Sequence, residues 1–420
     1  MSSPVLKREL GLWGATLMGL GSIVGTGVFV SIGIAAQIAG PGVILAVAIA
    51  AFVAACNGLN SAQLAANHAV SGGTYEYGYK YLTPWLGFTA GWMFLWAKTA
   101  SAATAALGFA GYLLNATGFS DRSLLIPTAL AAVVVLTGIV LCGIRRSNWA
   151  NTVMISLTLL ALGVFVVAGL PTVQLTNLSL ETNPAIASVL QATALMFVAY
   201  TGYGRIATMG EEVLEPRRTI PQAMIVTLGL TLLLYLAVAG VAVGSGLGTL
   251  NLQGVGAAAP LEWVARRFGI PGVAEWVALG AVTAILGVLL NLILGLSRVL
   301  LAMGRRRDLP RIVARLNQSQ TTPDVAVVTV GVAIAVLVAI GNVKTTWSFS
   351  AFNVLIYYAI TNLAALRLPA EGRLYPQWLA WAGLASCLFL AFWVEQQIWL
   401  AGLGLIVAGL IWHAIAQKQA

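Results

Sequence analysis

Twelve stretches of this chain are apolar and long enough to cross a lipid bilayer, and no other feature of it narrows the fold so far. A helix needs about 20 apolar residues to span the hydrocarbon core. Inside that core every backbone N–H and C=O must be bonded within the protein, which leaves helices and closed barrels. The stretches are Gly11–Ile38, Gly42–Ala66, Leu86–Leu113, Leu124–Ile144, Asn148–Leu170, Ile186–Gly210, Ala223–Gly246, Gly272–Met303, Val325–Gly341, Phe349–Leu368, Trp378–Val394 and Ile398–Ala416. They are long and show little strand alternation, so helices fit them and barrel strands do not. Only 8% of the 420 residues are charged, against roughly 25% in a soluble domain, so lipid must solvate most of the surface. The expectation is an all-α integral membrane protein of twelve spans.

Charge sets the orientation. Short cytoplasmic loops carry an excess of Lys and Arg. With the N-terminus inside, fifteen basic residues fall on the cytoplasmic side, Arg145, Arg146 and the run Arg305–Arg307 among them, and four fall outside. Both termini are therefore expected in the cytoplasm, of a plasma (inner) membrane. The net charge of +9 is accounted for by these loops without a nucleic-acid partner. Trp13, Trp85, Trp149, Trp347, Trp378 and Trp399 fall near span ends, where interfacial anchors belong. Cys56, Cys142 and Cys387 lie far apart in apolar runs and read as small buried hydrophobes. No small-residue cleavage site follows the first run, which is expected to be retained.

Two spans are interrupted by glycine. The first contains "GLGSIVGTGVF" (Gly19–Phe29), the sixth "FVAYTGYGRIATMGEEV" (Phe197–Val213). Glycine costs a helix interior about 1 kcal/mol relative to alanine, so repeated placement needs a reason. Five spans separate the interruptions, and five is odd. A second five-span unit would therefore enter the membrane from the opposite side, the signature of an inverted repeat with broken helices and a midplane site. The expected organisation is a cytoplasmic segment (1–10), a first five-helix repeat (11–170), its inverted partner (186–368) and two further helices (378–416). An unwound segment frees N–H groups with a positive dipole end for an anion and carbonyls for a cation. One small molecule carrying both charges is an α-amino acid. The competing reading, glycines for close helix packing, suits one cluster better than two at corresponding positions. The spacing Gly19-x-Gly21-x-x-x-Gly25 is not a dinucleotide fingerprint, and no strand precedes it.

"GSIVGTGVF", "SGGTYEYGYKYL" with "GFTAGW", "FVAYTGYGRIATMGEEVLEPRRTIP" and "LSRVLLAMGRRRDLP", in that order, resemble the amino acid–polyamine–organocation (APC) superfamily of amino acid permeases. The resemblance covers spans one to ten. It implies a LeuT-like five-plus-five repeat with spans 1 and 6 broken, two extra helices, secondary transport of amino acids and no prosthetic group. It implies that the substrate carboxylate meets backbone around Gly25, Thr26 and Gly27. The ammonium would meet carbonyls near Ile23, Val198 and Thr201, beside Gly202, with Tyr203 closing over the ligand. Where many proton-coupled members carry a lysine in span five, this chain has Thr158. Where cationic transporters tend to have a glutamate in span three, it has Ala97, followed by Lys98. Where relatives often have a small residue after the span-six break, it has Arg205. These departures argue against a cationic substrate and against coupling through span five. They leave an exchanger or uniporter without an ion, coupling through Lys98, or sodium coupling.

Lys98 lies about 18 Å along span three, near the midplane, as a pocket or proton-linked residue or paired with carbonyls inside the bundle. Arg205 either lines the substrate path or snorkels to the cytoplasmic face. Arg298, Glu211 and Glu212 read as a cytoplasmic gate. His68 and His413 have no ligand partner at metal spacing, and no metal is expected. An enzyme would need a nucleophile with a base, or paired acids, at shared depth; the spans hold no aspartate and no deep histidine. A channel would show rings of charge or a filter loop. The expected function is alternating-access transport of neutral, apolar amino acids, with export or exchange of amino acids or other small amines as the alternative.

Overall fold

The computed structural model describes residues 10–68, 72–119, 121–143, 148–179, 185–208, 213–250, 252–317 and 322–418. They are helical almost throughout, with no strand among them and one isolated parallel bridge, Leu10 to Val213. The first apolar stretch divides into α1 (Leu12–Ile23) and α2 (Ile32–Ala39), joined through a wide turn at Gly27–Ser31. There follow α3 (Val43–Asn67), α4 (Thr74–Tyr81), α5 (Pro84–Ala116), α6 (Leu125–Leu141), α7 (Asn148–Gly169) and α8 (Ile186–Tyr200). A tight turn leads into α9 (Gly204–Ala207), then α10 (Pro216–Gly244), the short pair α11 (Val255–Ala258) and α12 (Pro260–Arg266), and α13 (Val273–Arg305). The chain closes with α14 (Asp324–Val338), α15 (Val343–Leu366), α16 (Gln377–Ala391) and α17 (Gln396–Lys418). Eight helical stretches among the described residues are long and apolar enough to cross a membrane, and α1, α14 and α16 are apolar but shorter.

The structure departs from the sequence reading in four places. Helices α4, α11 and α12 stand where loops were expected. Helix α10 begins at Pro216, seven residues before Ala223, because proline suits a first helical turn, where its missing N–H is not needed. Trp347, expected at an interface, is 3% exposed, and its Nε1 donates to the Leu195 carbonyl at 3.0 Å. Cys142, expected buried, is exposed.

Helix α5 packs between α13 and α15, while α3 packs against α8 and α10, and α16 covers α15. Large apolar side chains face outward, among them Leu233, Val336 and Val407. Water would not tolerate so many, whereas lipid does. The interior holds a polar ladder. Asn57, Asn60 and Gln63 stand three residues apart on one face of α3 and are buried. Asn362 of α15 donates to Asn57 Oδ1 at 2.6 Å and accepts from Asn60 Nδ2 at 2.8 Å, and Gln63 Nε2 donates to Asn60 Oδ1 at 2.8 Å. Cys387 of α16 donates weakly to Asn57 Oδ1 at 3.4 Å. Each amide meets another amide, as buried polar groups must.

A second cluster ties down the arginine-rich end. After α13 the chain reverses at Arg307, in the left-handed region (φ 69°), and sets the Asp308 carboxylate inside the protein. Tyr75 and Tyr79 of α4 donate to it at 2.6 and 2.8 Å, and His413 Nδ1 of α17 stands 3.5 Å away. Trp412 Nε1 donates to the Asp308 backbone carbonyl at 2.9 Å. Burial first, and then the carboxylate they donate to, push both phenols well above their ordinary pKa, so they remain donors. Arg306 lies over the Tyr79 ring, 4.0 Å from its centre, and pairs with Glu76 at 2.8 Å.

Glu262 of α12 is fully buried. Its Oε1 accepts from Arg266 at 2.8 Å, and its Oε2 meets no donor in hydrogen-bonding geometry among the described residues. Burial raises its pKa, against the opposing pull of Asn115 and Arg266. A carboxyl whose folded pKa is raised favours folding most below its unfolded pKa, about 4.3, and loses that contribution as pH rises through the folded value. Glu262→Gln stays neutral throughout. Its thermal midpoint relative to the parent should therefore become more favourable from pH 4 to pH 7. A pH-independent offset would show that Glu262 does not titrate there.

Candidate functional site

The first interruption is an unwound link. Helix α1 stops at Ile23; Val24 is extended (φ −81°, ψ 100°), and helical geometry resumes at Thr26. Val28 and Phe29 N–H both return to the Gly25 carbonyl at 3.1 Å. The Phe29 carbonyl accepts from the Tyr112 hydroxyl of α5 at 2.7 Å. The second interruption is milder than the sequence suggested. Helix α8 tightens into a three-residue turn, Thr201–Tyr203, and continues in α9. Both the N–H and the hydroxyl of Thr201 donate to the Val198 carbonyl, the hydroxyl at 2.8 Å, so the chain stays bonded where the helix changes pitch.

The two interruptions meet. A Cβ on Gly202 would lie inside the Ser22 carbonyl and within 2.7 Å of the Ile23 side chain. A Cβ on Gly25 would come within 2.6 Å of Val288 Cγ2 in α13. Both glycines serve close approach, whichever ligand is held there.

A cavity of about 50 Å³ opens where they meet. The expected residues Ile23, Thr26, Gly27, Lys98, Val198, Thr201 and Gly202 all line it. Lys98 Nζ donates to Thr201 Oγ1 at 3.0 Å, so span three reaches the span-six turn. Thr26 is 4% exposed, and its hydroxyl meets no partner among the described residues. The described lining includes no carboxylate.

Other expected residues lie outside the cavity. Gly25 stands beside it against Val288. Tyr203 is fully buried with its ring on Tyr358, 5.3 Å between centres. Ala97 is buried and does not line the cavity. Thr158 donates to the Met154 carbonyl of its own helix at 2.6 Å. Arg205 is exposed. Arg298 is exposed and lines a separate open groove of about 380 Å³ with Glu76, Arg305 and Arg306. Glu211 and Glu212 lie outside the described residues.

Sequence reasoning missed the apolar wall, Val288 and Leu292 of α13 with Trp347 of α15, and the hydroxyls of Ser22 and Ser101. It also missed Tyr235 of α10, whose hydroxyl lies 3.1 Å from both the Ile23 and Ala199 carbonyls. Trp347 offered a signal, since an indole near a span end has either a lipid interface or an interior pocket to occupy. Tyr235 offered none: a lone tyrosine in a leucine-rich run says nothing of what it meets.

Apolar membrane-length helices, two of them interrupted around a small cavity, are the features of a multi-pass membrane protein. The chain belongs to the amino acid permease family, whose model matches residues 14–419. It is 40% identical over 412 residues to an uncharacterised transporter of Mycobacterium tuberculosis (strain ATCC 25618 / H37Rv), covering 98% of this chain and 91% of that protein. It is 27% identical over 340 residues to the branched-chain amino acid permease BcaP of Bacillus subtilis (strain 168), covering 76% of this chain and 72% of that one. The methylthioribose transporter of the same organism is 27% identical over 384 residues, covering 87% of this chain and 82% of that protein.

Proposed function

We propose that this amino acid permease carries neutral, predominantly apolar amino acids by alternating access, binding them at the junction of the two interrupted helices. The observation that carries the reading is the cavity lining. Main chain from both interruptions supplies N–H and carbonyl groups for a zwitterion. Val288, Leu292 and Trp347 offer an apolar wall for its side chain, and Lys98 is the charged group of the described lining. Beyond the α-ammonium that every amino acid carries, a lysine or arginine substrate would bring a further side-chain cation into a described lining without a carboxylate, a desolvation cost of several kcal/mol. The name of the branched-chain relative agrees with an apolar side chain, whereas that of the methylthioribose relative does not; the apolar wall of the cavity supports the former reading.

On this reading Thr26 and the N–H groups from Gly25 to Gly27 take the carboxylate, and the Ile23, Val198 and Thr201 carbonyls take the ammonium, with Tyr203 as a buried support behind the turn. Twelve spans in a five-plus-five inverted arrangement place both termini in the cytoplasm. The Glu76–Arg306 pair and Arg298, at the arginine-rich end, form the cytoplasmic gate. Its exposed pairs are each worth under about 1 kcal/mol, small enough to break and remake in every cycle.

Reconstitution in liposomes tests the substrate. In competition against labelled leucine, leucine-, methionine- and alanine-like amino acids are expected to inhibit more strongly than lysine or arginine. Stronger inhibition by arginine than by every neutral amino acid would overturn the assignment.

A further inference from the structure

The carbonyls of the candidate site already have donors within the protein. The Tyr235 hydroxyl stands 3.1 Å from the Ile23 and the Ala199 carbonyl, and having one proton it divides or alternates it between them. The Val198 carbonyl accepts from Thr201 Oγ1 at 2.8 Å, and that oxygen in turn accepts from Lys98 Nζ at 3.0 Å. The Val198 carbonyl also takes the Thr201 N–H, so its donors belong to its own turn, with Lys98 of α5 fixing the hydroxyl, whereas the donor to Ile23 and Ala199 comes from α10, which carries neither interruption. The opposite half of the site is different: the Thr26 hydroxyl, although buried, meets no partner among the described residues. The cavity is thus satisfied where a cation would sit and unsatisfied where an anion would sit.

We infer that Lys98, acting through Thr201, and Tyr235 are surrogate donors for the substrate's ammonium. Whenever no amino acid is bound, Tyr235 holds the Ile23 and Ala199 carbonyls and Lys98 keeps the Thr201 hydroxyl turned onto the Val198 carbonyl; both yield when an ammonium arrives. The inference rests on the site assigned above and adds how the carrier resets. Bare carbonyls in a low-dielectric interior oppose closure around the cavity. With surrogate donors in place, the substrate-free carrier can close and return across the membrane. Lys98 needs no change of protonation for this, because amine and ammonium both carry N–H donors.

Two modes of transport separate the idea from simple substrate contact. Exchange keeps the carrier loaded in both directions, whereas net uptake requires the substrate-free return. Purified parent protein, Lys98→Met and Tyr235→Phe are reconstituted into liposomes. Uptake of the labelled neutral amino acid giving the strongest flux is measured into amino-acid-free vesicles and into vesicles preloaded with the same unlabelled amino acid. The parent is expected to show both modes. Each substitution should lower the ratio of net uptake to exchange by about tenfold or more, as the return-competent population shrinks. Measurable exchange shows that the variant is folded. An unchanged ratio, a proportional fall in both modes, or a parent protein without net uptake would overturn the inference. A parent that moves no amino acid in either mode would instead refute the site's assignment to amino acids.

Discussion

Uptake and counterflow by Gly202→Leu, measured per inserted protein, are expected to fall at least about a hundred-fold, a barrier of roughly 2.7 kcal/mol. Overpacking a well-packed interior typically costs about 1–3 kcal/mol, because neighbours must shift. Here the first obstacle is the Ser22 carbonyl, a backbone group with no rotamer to escape into, and the second is Ile23. The variant can relieve the clash only by separating α1 from the turn after α8, which dismantles the cavity lined by Ser22, Ile23 and Thr201. Gly25→Leu should act the same way through Val288, though less severely, since a valine side chain can rotate. Helix faces toward lipid are untouched in both, so insertion should remain normal. Parental transport by the inserted Gly202→Leu protein would remove the site from this junction.

Asp308→Ala is expected to lower stability by about 3 kcal/mol or more, seen as a lower thermal unfolding midpoint in detergent. The substitution strips the Tyr75 and Tyr79 hydroxyls of their acceptor in a buried place, and a buried donor left unpaired costs its full desolvation. Asp308→Asn keeps one carbonyl oxygen and should lose less. Equal midpoints for parent and both variants would show that the cluster contributes nothing to folding.

The glycine interruptions were legible because glycine is disfavoured in helices, and its recurrence five spans apart asked for a structural cause. Lys98 stood out as a lone charge within an apolar span, and the structure lines the cavity with it. The degree of each break was less so. The link at Val24 is unwound, whereas the turn at Thr201 stays helical, its backbone N–H groups still reaching back along the chain and the Thr201 hydroxyl adding a bond to the Val198 carbonyl. Tyr235 could not be found from the sequence, since its role depends on α10 passing close to both interruptions. The motifs around Tyr75 and Arg306 were recognisable separately. What they do for one another was hidden, since the bond from Tyr75 to Asp308 joins residues 233 apart. Helices α11 and α12 have four and seven residues, too few to show periodicity.

The amide ladder between α3, α15 and α16 limits how such a protein can move. Asn57, Asn60 and Asn362 exchange hydrogen bonds in matched pairs away from water, so sliding one helix past another by a turn would strand several amides at once. The three helices are thereby held together as one rigid frame. The joints of the structure lie elsewhere, between α1 and α2 and between α8 and α9. A chain shortened to end after α15 would uncover the Asn362 end of that frame, against which Gly383 of α16 packs. Helix α16 is thus a brace for that frame as well as a cover on α15.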